Sequence, residues 1–158
     1  MNQTTAAAPV QSLEPKSKII KAITADPRTA NYQTKLEQFS FNMDSDAAEE
    51  SIELYTTASR GLDGDVLWDD GQKWLLVIAD KNRYYSLFDE YVQLGSVYFN
   101  VATIGEDQTP CIEVLVQHGC GRKIIDYVYD KKTDSYIENI IYETDDRNES
   151  YTSIPAYK

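Results

Sequence analysis

The sequence is short of the side chains that carry most enzymatic chemistry. It holds one histidine, His118, and two cysteines, Cys111 and Cys120. A structural zinc site takes four ligands, so these three cannot build one without carboxylates. A Cys–His nucleophile pair would need its base positioned by the fold and an oxyanion donor besides. The run Gly119-Cys120-Gly121 reads more simply as a loop between strands. Phosphate-cradling glycine loops of the G-x-G-x-x-G and G-x-x-x-x-G-K types are missing. So are the G-x-S-x-G elbow and the H-E-x-x-H helix motif.

Basic residues are scarce too. Fifteen Lys and Arg stand against 26 Asp and Glu, a net charge of −11. Phosphate contacts by Lys and Arg supply most of the affinity for nucleic acid, so neither DNA, RNA nor anionic lipid is expected as a partner. The acidic surplus suits metal ions and cationic partners, or simply a solvated surface. The longest apolar run, Trp74 to Ala79, is one strand long and falls far short of the ~18 residues that span a bilayer. No segment carries a 3.6-residue apolar stripe over three turns, which argues against a major helix. The opening MNQTTAAAPVQSLEPKSK lacks the apolar core of a signal peptide. It looks like the linker that follows a removed signal or lipobox, which sets the expectation of an extracellular or envelope protein on a lipid anchor. Cys111 and Cys120 are consistent either with a small disulfide-closed loop in an oxidising compartment or with two separate thiols.

What the chain does have is period two. Ile52, Leu54 and Thr56 fall on one face of SIELYTTA, Val97, Phe99 and Val101 on one face of SVYFNVA, and Ile112, Val114 and Val116 on one face of CIEVLVQ. In LEQFSF, Phe39 and Phe41 alternate, but Leu36 joins them only across a break. Twelve Tyr, mostly in Ile- and Val-rich runs, suit strands with one wet face, since the ring packs while the hydroxyl reaches water. Two hairpins are expected. One turns at Asp80–Asn82, the other at DKKTDS between KIIDYVYD and SYIENIIYE, where Asp, Thr and Ser side chains can bond the turn backbone.

These signals predict an all-β fold of about eight to ten antiparallel strands in two packed sheets, a sandwich or two stacked β-units. Residues 1–34 read as a flexible tail, with a short helical turn or an edge strand before Pro27, and residues 35–158 as a single β domain. A faint repeat at an offset of sixty lays Phe39 over Phe99 and Ile52-Glu53-Leu54 over Ile112-Glu113-Val114. It divides the domain into two degenerate units, 35–94 and 95–143.

The stretch FNMDSDAAEESIELY holds the one candidate site. Calcium takes six to eight oxygens at about 2.3–2.6 Å, often from alternate residues of a tight loop. Asn42, Asp44 and Asp46 have that spacing, Glu50 follows, and the Ala48 carbonyl offers a further oxygen. The arrangement resembles the D-x-D-G-D-G-x-x-E-[IL] calcium loops of integrin-α-like (FG-GAP/VCBS) repeats. The wider organisation, from DSDAAEESIELYTTA through WDDGQKWLLVI and EYVQLGSVYF to DYVYD, resembles exported β-rich proteins of Gram-positive bacteria. The resemblance implies an extracytoplasmic location, β-architecture and calcium, and it implies no reaction. Where the family has Gly this chain has Ala47, which fits a left-handed turn poorly. The second unit has Ala102, Ile104 and Pro110 in place of Asn42, Asp44 and Glu50.

Asp63, Asp65, Asp69 and Asp70 crowd another stretch, but Trp68 stands where an EF-hand requires Gly. Their Asp-Gly pairs read as turns. A second cation site or a carboxylate pair for acid–base work is the sharper alternative. Trp68 and Trp74 suit either a shallow sugar- or peptide-binding surface or the packing of a small β-core. The leading expectation is therefore a monomeric, non-catalytic exported module that binds a protein or carbohydrate ligand. The alternatives are an envelope hydrolase using acids such as Asp69 and Asp70, and a purely structural domain on a lipid anchor.

Overall fold

The computed structural model describes residues 17–29, 31–147 and 149–158. Its elements are β1 (Ser17–Lys21), β2 (Thr34–Phe41), β3 (Glu50–Thr56), β4 (Gly71–Asp80), β5 (Arg83–Gln93), β6 (Gly95–Ile104), β7 (Thr109–His118), β8 (Gly121–Asp130) and β9 (Ser135–Thr144). Strands β2-β3-β4-β5 form one antiparallel meander and β6-β7-β8-β9 a second, and β1 adds to the free edge of β9. The chain changes sheet at Leu94, a single residue with left-handed backbone (φ 49). The next residue must be Gly: a Cβ at position 95 would lie 1.7 Å from the Gln117 carbonyl oxygen.

Both sheets turn their alternating apolar residues to a shared core. Ile52, Leu54, Trp74, Leu76 and Ile78 of one sheet pack with Val97, Ile112, Val114, Val116, Ile125 and Tyr127 of the other. The faces expected on β3 and β7 are thus those that bury, while Phe99 and Val101 of β6 pack at the margin of the core. The break at Leu36 is a β-bulge, where pairing of β2 with β3 slips between Lys35 and Glu37. Both expected hairpin turns are present. In the second, Asp130 Oδ1 accepts the Lys132 amide at 3.0 Å and Oδ2 accepts the Thr133 hydroxyl at 2.8 Å.

The stretch before Pro27 is an edge strand and not a helical turn. It extends the domain back to Ser17 instead of beginning it at residue 35, because β1 pairs with β9 from Ser17↔Asn139 to Lys21↔Ser135. The remainder of the expected tail, residues 1–16, lies outside the described residues. Just past β1, Ile23 forms a bridge with Tyr84 of β5, so the two sheets are laced along this side. The connection then crosses the outer face of the β2–β5 sheet. Arg28 bonds Glu53 at 3.1 Å and lies over the Tyr84 ring, and the Tyr32 hydroxyl donates to Asp89. Val77 pairs with Glu53 and Leu75 with Asp89, so these anchors flank the two outward-facing apolar residues of β4, both fully buried.

The repeat at sixty residues matches the opening hairpin of each meander. The registers nonetheless differ by two: Phe39 pairs with Ile52, but Phe99 pairs with Val114. The cause is where each loop is centred: once the offset of sixty is removed, the longer loop of residues 42–49 has its midpoint one residue before that of the shorter loop 105–108, which shifts every pair by two.

Candidate metal centre

The longer of those loops ends on Glu50, whose carboxylate is carried under the loop and left 2% exposed. Glu50 Oε2 accepts the Met43 amide at 2.6 Å, and the Met43 side chain is itself buried in the core. That contact folds the loop over its own end. Two Asx-type bonds shape the rest: Asp44 Oδ1 accepts the Asp46 amide at 2.8 Å, and Asp46 Oδ1 accepts the Ala48 amide at 2.5 Å. The Asn42 amide nitrogen donates to the Asp46 carbonyl at 2.7 Å.

The left-handed residue that closes the turn is Ser45 (φ 60), and Ala47 is not among the positive-φ positions. The strain expected at Ala47 is therefore absent; shifting the tight turn by two residues removes the need for glycine there. Ala48 serves the loop through its amide, which fixes Asp46.

The loop brings Asp44, Asp46 and Glu50 together, with one oxygen from each within 4.8 Å of the others. Two oxygens on opposite sides of a calcium ion stand about 5 Å apart, so the three fit one coordination sphere. Among the described residues, Glu50 Oε1 and Asn42 Oδ1 are buried and have no hydrogen-bond partner. An orphaned buried acceptor is costly unless something satisfies it. Burial drives the Glu50 carboxyl above its usual range, and the charges of Asp44, Asp80 and Asp46 add to the shift against the opposing Met43 amide bond. A group of hard oxygens in this state can take a calcium- or magnesium-class ion, whereas zinc and copper prefer nitrogen and sulfur.

Sequence reading missed the neighbours that complete this end of the molecule. Lys81, in the β4–β5 turn, reaches Asp46 Oδ2 at 3.2 Å and lies 3.9 Å from Asp80. Arg83 holds the buried Asp80 at 2.5 Å and Asp134 at 2.6 Å. Asp134, in the β8–β9 turn, also accepts the hydroxyls of Tyr85 (2.9 Å) and Tyr129 (2.6 Å). Charge thus runs from the acidic loop of one sheet to a turn of the other. Only the lysine and arginine types signalled such partners in the sequence, since the contacts join distant turns.

The other sequence candidates do not converge. Asp63 Oδ1 accepts the Asp65 amide at 3.2 Å and Asp69 Oδ1 the Asp70 amide at 2.7 Å, so these acids shape turns. Trp68, 40% exposed, stacks at 5.4 Å on the fully buried Trp74, so the pair joins the surface to the core instead of lying wholly in either. Gly119 and Cys120 form the turn between β7 and β8, and His118 lies 3.9 Å from Asp145. No disulfide joins Cys111 to Cys120. Cys111 is the third residue of β7 and Cys120 lies just past its end, and strand rises ~3.3 Å per residue, which holds their Cα atoms well beyond bridging distance.

The fold and loop define a class: a two-sheet antiparallel protein with an oxygen-lined loop fit for a hard cation. No family model, curated protein or solved structure matches the chain. Among the described residues no helix is long and apolar enough to cross a membrane.

Proposed function

We propose that the chain is a non-catalytic binding module of an exported or envelope-anchored protein, with its 42–50 loop stabilised by calcium. One observation carries the calcium reading: the buried Glu50 Oε1 has no partner among the described residues, in a loop where Asp44 and Asp46 offer oxygens within one coordination sphere of Glu50. Calcium would hold Glu50 through that orphaned oxygen, with Asp44, Asp46 and the buried Asn42 Oδ1 as further donors, and would neutralise mutually repelling carboxylates.

The ligand surface in this reading is a groove of about 680 Å³ where the β2 and β6 edges approach. Tyr98 and Tyr157 stack there at 5.3 Å, beside Leu36 and Ile124, with Glu37 and Arg122 at the rim. Aromatic faces framed by a few polar groups suit a polypeptide or a carbohydrate.

Millimolar calcium raises the melting temperature of the parent protein by several degrees, following RT ln(1 + [L]/Kd). Asp44→Ala with Asp46→Ala abolishes the increment. A parent protein whose melting point ignores calcium overturns the calcium reading. Recovery of the native gene product in the cytoplasmic fraction overturns the export reading independently.

A further inference from the structure

The acidic loop already faces a cation, and that cation belongs to the chain. Asp46 has its Oδ1 on the Ala48 amide at 2.5 Å and its Oδ2 on the Lys81 ammonium at 3.2 Å. Two-thirds of the Lys81 side chain is exposed, so the ammonium sits at the mouth of the loop and not inside it. The carboxylate at the bottom, Glu50, is 2% exposed and keeps Oε1 without a partner among the described residues. The lysine therefore satisfies the rim of the cluster and leaves its floor unsatisfied.

A second carboxylate stands ready for the same ammonium. Asp80, 5% exposed and already held by Arg83 at 2.5 Å, has its Oδ1 3.9 Å from Lys81 Nζ. The charged groups facing Lys81 are thus Asp46 from the loop and Asp80 beside it at the end of β4, with Asp44 acting at longer range. Arg83 is the other cation whose charge reaches Asp46.

We infer that Lys81 is a tethered competitor of the divalent ion: it screens the loop when the ion is away, and shifts from Asp46 toward Asp80 when the ion binds. The inference rests on the calcium reading above. It predicts that the loop's affinity is set from the β4–β5 turn as well as by its own acids. A unit charge about 6 Å from a divalent ion in a water-like medium costs roughly a factor of ten in affinity.

Calorimetric titration of calcium into the full chain tests this with three variants. Lys81→Met keeps the side-chain length and removes the charge, Lys81→Arg keeps the charge, and Lys132→Met removes a lysine from the β8–β9 turn. The expected result is about ten-fold tighter calcium binding for Lys81→Met, with Lys81→Arg near the parent and Lys132→Met changed less than two-fold. The calcium-free Lys81→Met protein melts below the parent, and calcium raises its melting point by more. Calcium uptake with equal affinity in parent and Lys81→Met overturns the role of the lysine and leaves the loop standing. An equal gain in Lys132→Met overturns it too, since bulk charge then suffices. Absence of calcium binding in every variant overturns both readings.

Discussion

Asp134 shows how much one turn residue carries at this end of the molecule. It has left-handed backbone (φ 47) and accepts from Tyr129, Tyr85 and Arg83. The Tyr129 and Tyr85 hydroxyls, with Arg83, hold its carboxyl below the usual value of 3.8. A lowered folded value means the ionised form stabilises the fold. That contribution is present above the unfolded value and is lost as pH falls through the folded one. Asp134→Asn keeps a residue that tolerates left-handed backbone and removes only the charge. The variant is expected to lose about 1 kcal/mol at pH 7, because the carboxylate is half exposed and its charge-assisted bonds are screened. The gap in melting temperature should close as the pH drops below 3.8. A gap that persists undiminished in acid would show that the carboxylate charge is not what binds the turn. Cys111 illustrates the opposite effect: burial, with Asp126 beside it, pushes its thiol up to about 11.

At the scale of elements, the segment after β9 forms no strand among its described residues yet packs against the core. Tyr157 packs 6.0 Å from Trp74 and 5.3 Å from Tyr98, and its hydroxyl donates to the Val97 carbonyl at 3.0 Å. The Trp68 indole and the Arg60 guanidinium hold the Tyr157 and Lys158 carbonyls in turn. Truncating a packed aromatic costs about 3–5 kcal/mol in a core, and somewhat less at this partly open margin. Tyr157→Ala is therefore expected to cost about 2–3 kcal/mol, with a red shift of tryptophan emission as water reaches Trp74. Unchanged emission and stability would mean the aromatic stack is decorative. This closure was not legible in the sequence, where the C-terminal residues have no period. The strands were legible because each buries one face: Ile52, Leu54 and Thr56 are all fully buried, as their alternation requires. Leu75 and Val77 broke that rule, since they point outward and are still buried under the β1–β2 connection. No local pattern reveals a cover that arrives from fifty residues upstream.

The whole molecule is two meanders with one core between them. Neither has a second layer of its own on that face, so an isolated meander leaves Val97, Ile112, Val114, Val116 and Ile125 in water. At about 25 cal/mol per Å² of apolar surface, that exposure outweighs what strand pairing alone returns. A fragment comprising residues 95–158 is expected to show a collapsed, poorly dispersed NMR spectrum, and to gain dispersion only when mixed with 17–94. Independent folding of the fragment would sink the shared-core account. The same two-layer arrangement brings the 42–49 loop, the β4–β5 turn and the β8–β9 turn to one end, linked from Asp46 through Lys81, Asp80 and Arg83 to Asp134.

The residue order by itself determined the strands, the hairpin turns, the two-sheet class and the alternating oxygens of the acidic loop. Each depends on neighbours within a few positions, where backbone geometry and side-chain period act directly. The tertiary structure alone decided that Glu50 is buried with an oxygen unpartnered among the described residues, that Lys81 meets Asp46 from a turn 35 residues away, and that Tyr157 packs against the core. Those outcomes depend on which turns and edges meet when two sheets close on one another, and that is a property of packing over the entire chain.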